Sequence, residues 1–74
     1  MTQHTVWTGP SGSRHYVGTI IVNPDSIPLK FPVCWFDLPA PAIQLAAYLN
    51  GHQTAISISM PEFFRINRAH FDPP

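Results

Sequence analysis

The sequence predicts a small α+β domain, an antiparallel sheet of four or five strands with one helix packed on one face, in the order β-β-β-α-β with room for a last strand. Three observations predict it. Short runs rich in β-branched and aromatic residues are cut apart by Pro and Gly. One Ala- and Leu-rich segment carries a helical period. The 74 residues leave room for one core, so residues 1–74 are read as a single domain, with 67–74 a possible tail.

Gln3 to Thr8 holds Thr5, Val6 and Trp7, all good strand formers. Gly9 to Ser13 is a turn cluster, and residues 14–23 read as a second strand, completing a hairpin. Gly18 within that strand predicts a bulge or a close backbone approach. Asn23 to Pro28 is a loop. Leu29 to Phe36 is a third strand with Leu29, Phe31, Val33 and Trp35 on one face and Lys30, Pro32, Cys34 and Phe36 on the other. Pro32 makes it an edge strand or puts a bulge in it.

Asp37 to Pro41 is a helix start, with Asp37 suited to capping and Pro39 or Pro41 to a first helical position. From Ala42 to Leu49, Ala42, Leu45, Ala46 and Leu49 follow the spacing of one buried face. Asn50-Gly51 ends the helix, Gly51 fitting a left-handed cap. Thr54 to Met60 alternates like a strand with Ile56, Ile58 and Met60 inward, and Glu62 to Ile66 reads as a further strand. The helix is expected to cover Ile56, Ile58, Met60, Val33 and Trp35.

Charge is scarce and balanced. Four Lys and Arg offset four Asp and Glu, and charged residues make up 11% of the chain, under half the usual share of about 25%. A neutral, charge-poor surface tends to associate. With Cys34 the only cysteine, an internal disulfide is excluded and a reducing compartment fits. Met1 to His4 has no signal-peptide character, and no run approaches the roughly 20 apolar residues of a membrane span. A soluble, cytoplasmic domain without a membrane partner is expected.

Chemistry-bearing patterns are weak. His4, His15, His52 and His70 lack the i, i+4 or Cys-x-x-Cys spacing of a metal site, so no metal or other cofactor is expected. Cys34 sits mid-strand in apolar company, where a thiol is inert. Ser57 and Ser59 lack a nucleophile elbow. The Thr8–Arg14 segment has anion-cradle residue types but no Walker lysine and no following helix. No catalytic residue is assigned, and the chain is expected not to be an enzyme.

Nine large aromatic rings in a small domain are more than one core face can hide. Aromatic residues beside Arg are the types enriched in binding hot spots. Trp7, Phe36, Phe63 and Phe64 are therefore the expected partner-binding anchors, with Arg65 and Arg68 as polar rim contacts. The function expected is a non-enzymatic protein-binding module. Its class is that of a phage or mobile-element accessory protein inhibiting a host enzyme or defence complex by occupying its surface, as anti-CRISPR proteins do. One alternative is a nucleic-acid-binding or regulatory module using Arg65–Phe71. Another is a structural subunit of a homo-oligomer.

Overall fold

The computed structural model describes residues 3–72. Its elements are β1 (Thr5–Thr8), β2 (His15–Ile21), β3 (Leu29–Phe36), α1 (Pro39–Leu49), α2 (Met60–Ile66) and β4 (Ala69–His70). The strands form one antiparallel sheet in the order β1-β2-β3-β4. The predicted α+β class holds, with a second helix ahead of the last strand.

The turn at Gly9 to Arg14 closes on itself: Gly9 N–H donates to Arg14 O at 2.9 Å, and Gly12 takes φ +76°. This loop sets Thr8 opposite His15, and with it Trp7 opposite Tyr16 and Val6 opposite Val17. Between Val17 and Gly18 the pairing with β3 slips by one residue, because Val17 faces Cys34 while Gly18 faces Pro32. Val33 is the extra residue of a β-bulge, which accommodates Pro32. Both the bulge and the close approach expected of Gly18 are present: a Cβ there would lie 2.2 Å from Phe31 O.

The bulge reverses the alternation of β3. Leu29 and Phe31 lie on the side of the sheet that holds Val17, and past the bulge so do Cys34 and Phe36. The single face expected for Leu29, Phe31, Val33 and Trp35 is thus split, and neither Val33 nor Trp35 lies under the helix as expected. Val33 is exposed and Trp35 lies on the opposite face, away from α1.

The core lies on one side of the sheet: Val17, Cys34 and Phe36 meet Ala42, Leu45 and Ala46 of α1, Ile56 of the connecting segment and Phe63 of α2. Val6, Met60, Phe64 and Ala69 pack against this cluster. α1 buries Ala42, Leu45 and Ala46 as its period predicts, while Leu49 stays partly exposed. Its N-cap is Leu38 without a side-chain hydrogen bond, so Asp37 does not cap it; Pro39 opens the helix, and Gly51 at φ +93° follows its end.

Three expectations for the C-terminal third need correction. Thr54–Met60 is not a strand: Ile56 is buried, but Ile58 is exposed and Met60 starts a helix. Glu62–Ile66 is not a strand but lies in α2. Ser59 caps that helix, its Oγ accepting from Glu62 N–H at 3.4 Å, and Pro61 sits in its first turn. The segment read as a tail from residue 67 supplies β4, pairing His70 with Trp35 and Ala69 with Phe36; residues 73 and 74 lie outside the described residues.

The side chain of Asn50 ties the N-terminal segment to the end of α1. It accepts from His4 N–H at 2.7 Å and donates to His4 O at 2.9 Å. The β1 pairing ends at Thr5–Gly18, so β2 runs on beyond its neighbour. The far part of the β2–β3 hairpin projects from the body, and the molecule measures 41 × 29 × 21 Å. Its radius of gyration of 12.7 Å exceeds the roughly 11 Å of a compact chain of this length.

Candidate functional site

The face of the sheet opposite the core carries no helix. Residues paired across an antiparallel sheet share a face, and the register places Trp7, Tyr16, Trp35 and His70 in one row across all four strands. All four are half-buried.

The row is a stack. Trp7 and Tyr16 lie nearly parallel, 13° apart with centroids at 5.7 Å. Trp35 and His70 stack at 4.0 Å and 17°. The Arg14 guanidinium carbon lies 4.3 Å from the Trp35 centroid. Two groups that close to one centroid cannot share a face of the indole, so Arg14 and His70 cap opposite sides of it. Arg14 Nη1 also donates to the Tyr16 hydroxyl at 3.5 Å, joining the two halves of the row. The Lys30 ammonium sits 5.8 Å from the Trp7 ring.

Acidic side chains stand at the far end. Trp35 Nε1 donates to Asp72 Oδ1 at 3.2 Å, and Asp37 Oδ2 lies 3.5 Å from His70 Nε2. The Arg14 pKa is raised, first by its hydrogen bond to Tyr16; desolvation opposes this, and the charges of Tyr16, Asp72 and Asp37 add to it. The outer face is thus an aromatic ridge with two cations seated among its rings and carboxylates at one end.

Of the predicted anchors, Trp7 stands in this row. Phe36 and Phe63 do not serve as surface anchors: they are 1% and 3% exposed and meet edge to face at 6.1 Å in the core. The bulge turns Phe36 inward, and the helical turn of α2 aims Phe63 at it. Phe64 is half-buried between Phe63 and Phe71, with ring centroids at 5.9 and 5.7 Å. Arg65 is paired with Glu62 one turn earlier, Nε donating to Oε2 at 2.9 Å, and this pairing lowers the Glu62 pKa and raises that of Arg65. Arg68 is exposed and lines a shallow groove of about 260 Å³ with Asp37, Leu38 and Ile66.

Sequence reasoning missed Tyr16, Trp35, His70, Arg14 and Lys30 as a group. The hairpin loop from Gly9 to Arg14 held the signal for Trp7 and Tyr16, since a closed turn pairs them directly. Trp35 was hidden by the phase change at Val33, and His70 by a two-residue strand too short for periodicity to reveal.

Burial pushes the Cys34 thiol up to about 11, which makes it a poor nucleophile at neutral pH. Among the described residues no three His, Cys, Asp or Glu side chains are grouped to hold a metal ion, and no helix is long and apolar enough to cross a membrane. Comparison with protein-family models, with curated proteins and with solved structures finds no match.

Proposed function

We propose that this chain is a non-enzymatic protein-binding module whose contact surface is the outer face of the sheet, centred on Trp7, Tyr16, Arg14 and Trp35. The observation that carries the reading is the row of two stacked pairs across four strands, with Arg14 linking Tyr16 to Trp35. Trp, Tyr and Arg are the residues most enriched in hot spots. Held against one another, they present a surface whose rotamer entropy is already largely spent before a partner arrives. Trp7 is kept from the sequence-based anchors. Phe36 and Phe63 are replaced by Tyr16 and Trp35, and Phe64, Arg65 and Arg68 stand outside the row.

A module of this kind acts by occupying its target. The role taken forward is that of a stoichiometric inhibitor of a host enzyme or defence complex, of the anti-CRISPR kind, carried by a phage or mobile element. A tagged pull-down from bacterial lysate, with and without nuclease, tests it. One stoichiometric protein that survives nuclease, and is lost with Trp7→Ala and Arg14→Ala variants that keep the wild-type circular dichroism, supports the reading. Retention of that protein by both variants overturns it.

A second reading is single-stranded nucleic acid on the same ridge, favoured by Arg14 and Lys30 among the rings. It is the weaker one. Both faces of Trp35 are already occupied, and the two cations stand near Asp37 and Asp72 or alone, where several phosphate contacts are needed for affinity. Loss of the captured material on nuclease treatment would favour it.

A further inference from the structure

The part of the β2–β3 hairpin that projects past the body has an apolar side with no neighbour among the described residues. Leu29 and Phe31 of β3 and Ile21 of β2 lie on the core side of the sheet, beyond the reach of the core cluster, and Val22 and Ile27 follow at the tip. All five are exposed, from 50% at Phe31 to 84% at Ile27. The arm's two charged residues lie elsewhere: Asp25 in the tip turn and Lys30 on the outer face over Trp7. We infer that this side of the arm is a self-association surface on which a second copy of the chain seats its own arm.

Two features on the arm point to a second copy. The first is size. Five aliphatic and aromatic side chains exposed by half or more, three on the core side of the paired strands and two at the tip, leave on the order of 500 Å² of apolar surface, at the upper end of what monomers show. A homodimer interface of about 800 Å² per partner is about two-thirds apolar, which is the same apolar area. The second is charge. A twofold interface brings each patch against itself, so any charged residue in it would meet its own sign; the paired part of this side, with Ile21, Leu29 and Phe31, has none. Among the described residues the strand edges of the arm are also unpaired, because the β1 pairing stops at Gly18 and β4 pairs with Trp35 and Phe36.

The test is mass in solution. The wild-type chain, a single species of 8.3 kDa, is expected to sediment at twice that mass at tens of micromolar. Ile27→Lys and Leu29→Lys place like charges face to face and are expected to weaken the dimer at least tenfold with the circular dichroism unchanged. Ile43→Lys, at an exposed position of α1, is the control and is expected to leave the mass at twice the monomer. A wild-type chain that stays monomeric at several hundred micromolar overturns the inference, as does dissociation by Ile43→Lys equal to that by Ile27→Lys. A monomer whose partner in the pull-down is lost with Ile27→Lys also overturns it and gives the arm to a different protein. The outer-face reading is separable, since the arm variants leave Trp7, Arg14 and Trp35 untouched.

Discussion

At Gly18 a methyl group would fall 2.2 Å from Phe31 O and 2.7 Å from Pro32 Cα, both backbone atoms that cannot swing aside. Gly18→Ala is therefore expected to destabilise the fold by about 3 kcal/mol, read as a lowered urea midpoint, because the bulge must open to admit the side chain. Asn50 acts at the other end of β1. Both of its amide atoms serve the His4 backbone, and Asn50→Ala is expected to cost about 2 kcal/mol for two lost bonds. Cys34 makes a pH prediction. Its native thiol titrates near 11 against an ordinary 9.0, so as pH rises the unfolded chain loses its proton first. Stability is then unaffected by this group below about pH 8 and falls as pH climbs through 9 toward 11. The urea midpoint should drop between pH 8 and pH 10, and by less in Cys34→Ala. Thiol reagents at pH 8 should label the native protein only as fast as it unfolds.

Among the elements, α2 is the one that local sequence specifies most and alternation conceals. Ser59 and Glu62 have the spacing of a capping box, with Pro61 in the first turn. The preceding alternation of Ile56, Ile58 and Met60 imitates a strand, but the segment is an irregular run of turn and bends leading to that cap. Ser59→Ala is expected to cost about 1 kcal/mol. Fraying of α2 would uncover Phe63, so the variant should bind a hydrophobic dye more strongly than wild type. In β3 the competing rules were period and proline. Period two ran Leu29, Phe31, Val33, Trp35 inward, and the bulge at Val33 cut the run in half. The same interruption carried Phe36 into the core and Trp35 onto the ridge.

For the whole molecule, the two faces of the sheet divide the work. One is covered by α1 and α2 over the short part of the sheet they can reach. The other is bare and carries the Trp7–Tyr16–Trp35–His70 row. If the row is a binding hot spot, Trp7→Ala and Arg14→Ala should each weaken partner binding by about thirtyfold or more, measured by calorimetry once the partner is in hand. Arg65→Ala should change it little, since Arg65 stands outside the row and is paired with Glu62. The projecting arm, with its apolar side open, is where the charge-poor composition has its physical consequence: there are too few charged residues to blunt it.

The sequence by itself determined the α+β class, the first hairpin, the extent and buried face of α1 and its glycine stop. It also marked Gly18 and Pro32 as places where regular pairing fails. These are decided by short-range rules, in which a residue's φ preference, its missing N–H or its period of neighbours is enough. Only the tertiary structure decided which aromatic rings are buried and which form a surface. That choice hangs on a one-residue slip between β2 and β3 and on a two-residue strand returning to pair with Trp35. A slip of one residue exchanges the faces of everything beyond it, and no local preference records on which side of the bulge a side chain will fall.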